Sequence, residues 1–439
     1  MIIKVKINLV ASLCLLFQMV FAENYYVSAK NGIDENMGLS PDKPLLTINR
    51  ALSECGPGDT VFVMAGTYSA PKNRPTVNVV TIEKSGTEWN WIVLINYKTD
   101  SPLISFQGWT GIKIAKGASY IEIRGFTIRG NNGNIILDSA LNQPRSCSNP
   151  YGTPSPFYNG SGISTNGREE GKRSHHIRII GNTIYECGES GISLIQADYV
   201  TIEENKVFNN SWYTIYAGSG ISLYQLWNAD NNTTDYRNII LNNKCYGNRL
   251  FVPWVYAPCK ITDGNGIIID DSKNTQNNSK NGRYNGRTLI AFNTVFNNGG
   301  SGIHSFMSEH VDIFNNTAYK NQQSKEIDEG EIFANGCNDV KMYNNILVAD
   351  STKRICSNWN NNDVHYDYNI YWGGKQEDCA GSHSKIIDPD FKNPSKDPLV
   401  ADFHLRAFSP ALVMGNIVNN YLANRVKRKT IRTIGALLE

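Results

Sequence analysis

The chain has 439 residues, 41% hydrophobic and 19% charged, so it can bury a large core and is not a disordered polymer. Its 42 Lys and Arg nearly balance 40 Asp and Glu, and the basic residues form no stripe, which excludes the electrostatic footprint of a nucleic-acid binder. The 37 Gly, 22 Tyr and abundant Asn predict frequent turns and a β-rich, sugar-facing surface.

Met1 to Ala22 reads as a secretory signal peptide. Lys4 and Lys6 supply the charged start, a largely apolar run follows to Phe21, and Val20 and Ala22 are the small residues a signal peptidase needs. The run is short for a bilayer span, and no later segment is apolar enough to be one. The expected location is therefore secreted or extracellular, periplasmic or cell-surface in a Gram-negative bacterium. Residues 23–439 are expected to form a single domain and a monomer. Beyond Cys14, eight cysteines remain: Cys55, Cys147, Cys187, Cys245, Cys259, Cys337, Cys356 and Cys379. An exported chain permits them to pair. Cys356 with Cys379, and Cys245 with Cys259, would close plausible loops, although spacing does not fix connectivity.

The mature chain opens on Tyr25-Tyr26-Val27-Ser28-Ala29-Lys30-Asn31-Gly32, continues through Pro44-Leu45-Leu46-Thr47-Ile48, and reaches Gly56-Pro57-Gly58-Asp59-Thr60-Val61-Phe62-Val63. From Ile180 a repeat takes over. Gly181-Asn182-Thr183-Ile184-Tyr185 returns as Glu204-Asn205-Lys206-Val207-Phe208, as Phe292-Asn293-Thr294-Val295-Phe296 and as Asn315-Asn316-Thr317-Ala318-Tyr319, with weaker copies at Asn345 and Asn369. The step is 23 residues from Asn182 to Asn205 and again from Asn293 to Asn316. A second phrase lies between these copies, at Ser161-Gly162-Ile163, Ser190-Gly191-Ile192, Ser219-Gly220-Ile221, Asn265-Gly266-Ile267 and Ser301-Gly302-Ile303. Short strands at a fixed period cannot each bury a face alone, but stacked coils share one core and set like residue over like. The Asn positions then suit an internal ladder of side-chain amides. The period is too short for propeller blades, so the expected fold is all-β, a parallel β-helix. The chain ends on Asp402-Phe403-His404-Leu405, Ser409-Pro410-Ala411 and Ile434-Gly435-Ala436.

The opening and closing phrases resemble those of secreted right-handed parallel β-helix proteins of the pectate-lyase superfamily. The resemblance implies a right-handed solenoid, an amphipathic helix over about residues 44–54 capping the first coil, and a closing coil at the C-terminus. Ile48, Ala51 and Leu52 have the spacing such a helix needs. The superfamily holds lyases, hydrolases, epimerases and non-catalytic proteins, so the resemblance speaks for fold more than for activity.

Long interruptions of the repeat are expected near 131–158, 227–236 and 249–287, and loops at the turns of a solenoid often build its binding face. They carry Trp227, Trp254, Tyr256 and Tyr284, rings suited to stacking on sugars, and Arg287, which could meet a substrate carboxylate. Strand alternation points Ile192, Leu194, Ile221, Leu223, Ile267 and Ile269 inward. Tyr224, Asp270 and His304 then fall on three adjacent rungs of one outer face. Asp271 sits at the strand end, Asp263 in the turn before it and Lys260 in the neighbouring loop.

Three functions follow as expectations. In the first, an acidic, uronic-acid-containing polysaccharide is cleaved by β-elimination: Asp263, Asp270 and Asp271 hold calcium, Lys260 or His304 removes the proton, and Tyr224 serves the leaving oxygen. No lysine occupies an outward strand position, which weakens the choice of base. In the second, a glycoside hydrolase uses Asp270 with Asp263 or Asp271 as paired carboxylates. In the third, the solenoid binds carbohydrate without catalysis.

Overall fold

The computed structural model describes residues 22–170, 172–256, 259–375, 379–416, 421–422 and 433–436. Apart from Ala22, the signal segment lies outside the described residues. Three long sheets of 11, 9 and 11 strands run the length of the chain, and every strand pairing within them is parallel. One coil visits all three: Ile192–Ile195 in the second sheet, Asp198–Glu203 in the first and Lys206–Phe208 in the third, before Ile221–Tyr224 begins the next. The architecture is a right-handed parallel β-helix.

Alternation builds the core as expected. Ile163, Ile192, Ile221, Ile267, Ile303 and Ile332 stack in register along the second sheet, all but fully buried. The turn from first to third sheet is built on asparagine. Asn182, Asn205, Asn243, Asn293, Asn316, Asn345 and Asn369 form a continuous column, in which each residue donates its backbone N–H and its side-chain amide to the Oδ1 of the next. The residue before each has a left-handed backbone, from Gly181 at φ 63° to Tyr368 at 55°. Gly and Asn tolerate that region best, which explains the Gly181-Asn182, Asn315-Asn316 and Asn344-Asn345 pairs.

A second column, Asn210, Asn248, Asn298 and Asn321, lines the turn from third to second sheet. It explains the glycine of the second phrase: a Cβ on Gly220 or Gly302 would lie within 2.8 Å of the amide nitrogen of Asn248 or Asn321. Glu331 replaces that glycine one coil later. Its carboxyl ends the column, accepting from the backbone N–H and side-chain amide of Asn321 at 3.0 and 2.7 Å.

A helix occupies Ile48–Glu54, N-capped by Thr47, and buries Ile48, Ala51 and Leu52. The C-terminal phrases differ from expectation. Asp402–Leu405 pairs antiparallel with Phe391–Asn393, and Phe403, Leu405, Ala411 and Ile434 pack on the outer face of the third sheet against Tyr246, Phe296 and Tyr319. Leu422 similarly covers part of the first sheet's outer face, beside Leu241 and Phe292. Apolar outward residues at Phe296 and Leu289 demand such cover. Of the two disulfides, Cys356–Cys379 is as expected. The other joins Cys259 to Cys147, not to Cys245. Cys245 points into the core between Val207 and Val295 and keeps a buried free thiol.

Candidate functional site

The outer face of the second sheet lies between two rims of long loops. One rim is made by segments entering the sheet, 130–160, 209–220, 247–266 and 320–331. The other is made by segments leaving it, 167–174, 225–235 and 271–286. The excursion 211–218 belongs to the first rim and was not among the expected interruptions. Its signal was the surplus between Phe208 and Ser219. This rim has a small core of its own, Ile135, Ala140, Ile215 and Val252, and the Cys147–Cys259 disulfide ties two of its segments together.

On the floor, Tyr224, Asp270 and Phe306 lie in register on successive strands, while His304 aligns two residues earlier with Ser222, Ile268 and Phe333. Asp270 is half-buried and accepts a 2.9 Å hydrogen bond from Gln276 Nε2. Burial, and then the charge of Asp263, hold its carboxyl well above the usual range. Asp263 reaches the same floor from the first rim. Burial pushes it up to about 6, against the pull of hydrogen bonds from Thr262 Oγ1 at 2.7 Å and Asn265 Nδ2 at 3.1 Å. Glu329, two rungs further on, is pushed up to about 7 by burial and then by Asp263. Sequence reasoning missed this third carboxyl. The acidic run from Glu326 to Glu331, just ahead of the strand Ile332–Asn335, was its signal.

Tyr224 accepts from Asn277 Nδ2 at 2.6 Å, carries the Arg168 guanidinium 4.9 Å above its ring, and is raised by burial and then by Asp270. His304 is 7% exposed, stacks on Phe333 at 4.0 Å, and is driven down to about 3 by burial. Lys260 is exposed, and its carbonyl accepts the N–H of Trp254 at 2.8 Å. Trp254 and Tyr256 meet edge to face at 6.3 Å on the first rim, with Tyr256 open to solvent. Trp227 lies on the second rim beneath the Arg173 guanidinium.

Three expected residues do not join this group. Asp271 is fully buried and both its oxygens are taken, one by the backbone N–H and hydroxyl of Thr275, the other by Gln225 Nε2 and the Gln276 N–H. It shapes the turn after the strand. Arg287 stands on the first sheet, bound to Asp312 at 2.9 Å and Asp339 at 2.5 Å. Tyr284 is buried, donating to Asp198 at 2.7 Å, where Asp198 also pairs with Arg237. The aspartate trio offered for calcium therefore does not fit as a ligand set. Among the described residues no group of three or more acidic, His or Cys side chains is arranged to hold a metal ion.

No family model and no curated relative matches this sequence. Solved structures do. A pectate lyase, Pel9A, superposes with a TM-score of 0.52 at 15% identity, covering 91% of this chain and 92% of that one. The chain shares its fold. A GH136 lacto-N-biosidase from Eubacterium ramulus gives 0.46 at 15% identity, over 80% of this chain and 56% of that one. A rhamnogalacturonan lyase gives 0.44 at 13%, over 92% and 98%. At these identities the likeness concerns the parallel β-helix fold alone.

Proposed function

We propose that this protein is a carbohydrate-active enzyme that hydrolyses a glycosidic bond, with Asp270 as general acid and Asp263 as base or nucleophile. The observation that carries this reading is the meeting of two carboxyls on one half-buried floor in unequal hydrogen-bonding surroundings, with the charge of Asp263 raising Asp270. Asp263 has two donors that favour its anion, Asp270 has one, and the charge of Asp263 holds the proton on Asp270. Environments that separate two carboxyl pKa values assign the acid and the base. Asp270 protonates the leaving oxygen as the bond breaks, while Asp263 either activates water or attacks the sugar directly. Glu329, where ionised, adds its charge to that of Asp263 and favours an oxocarbenium-like transition state. Trp254 and Tyr256 offer faces for further sugar units.

The β-elimination expected from sequence has one observation in its favour, the Arg168 guanidinium over Tyr224, which would neutralise a uronate beside a phenol. It lacks a base. His304 is pushed far below neutral by burial, and Tyr224 is raised instead of activated. Hydrolysis asks only for the carboxyls that are present. The two disulfides suit work in an oxidising compartment outside the cytosol. Among the described residues no helix is long and apolar enough to cross a membrane.

The test is incubation with a panel of glycans while reading reducing ends and absorbance near 235 nm, a rough marker of an unsaturated uronide. New reducing ends without absorbance are expected, undiminished by EDTA. Absorbance rising with each cleavage would replace hydrolysis by elimination, and abolition by EDTA would restore calcium.

A further inference from the structure

The outer face of the third sheet carries two lysines that the proposed hydrolysis does not use. Its first outward position reads Thr127, Thr183, Lys206, Lys244, Thr294 and Thr317 along successive strands. Lys206 and Lys244 are paired directly in register on strands about 4.8 Å apart, and like charges so placed destabilise a sheet. Their ammonium groups lie 5.7 and 5.9 Å from the centre of one shared ring, Tyr246. Among the described residues neither has a hydrogen-bond or ion-pair partner. Burial, and then Lys206, hold the Lys244 amine below its usual range, against the pull of Asp402.

Lys244 also lines a cavity of about 270 Å³, bounded by this corner of the solenoid and by the C-terminal strand Asp402–Leu405. Asn242 and Thr294 line it too, and among the described residues the amide of one and the hydroxyl of the other have no partner. Phe403 adds an apolar wall. Asp402 is the carboxylate in the lining, and its Oδ1 is already taken by the backbone N–H and Nδ1 of His404, at 2.9 and 2.6 Å. The cavity therefore offers donors and a cation in excess of acceptors.

We propose that this cavity is a second, non-catalytic site, which binds an oxyanion group (carboxylate, sulfate or phosphate) carried on a sugar. The anion neutralises Lys244 and Lys206 and accepts from Asn242 and Thr294, which settles the repulsion that the bare sheet leaves standing. The volume is far above the roughly 10–15 Å³ that one water needs, so there is room for a ring behind the charged group, against Phe403. The site opens on the third sheet, whereas the carboxyls of the cleft stand on the second, and the proposal does not rest on the hydrolase reading.

The test is calorimetry on the full chain with monosaccharides, which offer no glycosidic bond to cleave: galacturonate, galactose 6-sulfate and galactose 6-phosphate, with galactose as the uncharged control and inorganic sulfate and phosphate as free anions. At least one sugar anion is expected to bind ten-fold or more tighter than galactose and than either free anion, and to weaken as salt rises from about 0.05 to about 0.5 M. Lys244→Met should cost ten-fold or more in affinity while Tm holds or rises, because it relieves the pairing of like charges. Asn242→Asp, on an exposed corner whose left-handed backbone Asp tolerates, should weaken binding independently by adding a charge of the wrong sign. Asp270→Asn should bind as the parent does. Unchanged affinity in Lys244→Met, galactose binding as tightly as its anions, or no binding of any anion would overturn the proposal. Free sulfate or phosphate binding as tightly as the sugar anions would remove the sugar from it. A loss confined to Asp270→Asn would place the ligand in the cleft and overturn the second site. Undiminished glycan turnover by Asp270→Asn would sink the hydrolase reading and leave these binding results as they stand.

Discussion

The two asparagine columns show the same device put to different ends. At the turn from first to third sheet the column runs through seven coils without a break, and each Asn hands its Oδ1 to the one before. At the turn into the second sheet only four Asn stack, long excursions leave between them, and a glutamate closes the column. The first turn answers only to stability, so one residue type satisfies it in every coil. The second borders the cleft, where Asp263 and Glu329 must be delivered from loops of unequal length. A solenoid can vary one corner because the others hold the register.

The largest effect separating the two regions is expected at Asp270. Asp270→Asn should reduce turnover on a cleaved glycan by about 10²–10⁴-fold, the usual contribution of a general acid. Because burial already favours the neutral form, Tm should hold or rise. In the unaltered protein the rate should fall below pH of about 6, as Asp263 takes up its proton, and fall again at higher pH as Asp270, held well above the usual carboxylate range, loses its own. A flat pH–rate profile between 5 and 7 would remove Asp263 from the mechanism.

The opposite behaviour is expected in the long column. Asn293→Ala strips the acceptor from the backbone N–H and side-chain amide of Asn243, and a buried donor left unpaired costs about 1–3 kcal/mol. Chemical denaturation should show a loss of about 2–4 kcal/mol, with kcat on the remaining folded protein unchanged. A loss of kcat with stability intact would mean that this corner also serves the site.

That division also explains what the sequence made legible. The repeat at Asn182, Asn205, Asn293 and Asn316 repeats because one backbone geometry repeats, and it carried the fold, the inward Ile positions and the rung order of Tyr224 and Asp270. The cleft obeys no period. His304 was placed on the correct strand, but one outward position away from the Asp270 row, because both His304 and Phe306 face outward and alternation cannot choose between them. Asp271, adjacent to Asp270, faces a turn that consumes all of its acceptors, which no spacing discloses. Arg287 belongs to a different sheet because the insertion ends one residue before the expected bound of 287, and Arg287 opens the strand Arg287–Ala291 of the first sheet. Cys147 finds Cys259 across 112 residues, through excursions whose paths the repeat does not constrain. Glu329 was hidden because nothing in the Gly-Ile phrase marks the residue three places before its strand.

The smallest effect should appear at the residue where the two regimes meet. One coil beyond Asn321 the third-sheet strand runs straight on as Ile346–Arg354, nine residues, and offers no Asn to extend the second column. Glu331 supplies the missing acceptor from the neighbouring sheet. Burial pushes its carboxyl up to about 8, despite the opposing hydrogen bonds from Asn321. The unfolded chain releases this proton at the ordinary glutamate value, so between there and about pH 8 the folded state holds more protons than the unfolded one. This contribution is complete in acid and is lost as the pH rises through about 8. Glu331→Gln keeps an acceptor for Asn321 and removes the titration. Melting curves from pH 5 to 9 should therefore show a slope in the parent protein that flattens in Glu331→Gln, with the variant gaining on the parent towards alkali. Parallel slopes in the two proteins would mean that the column ends on an ordinary carboxylate.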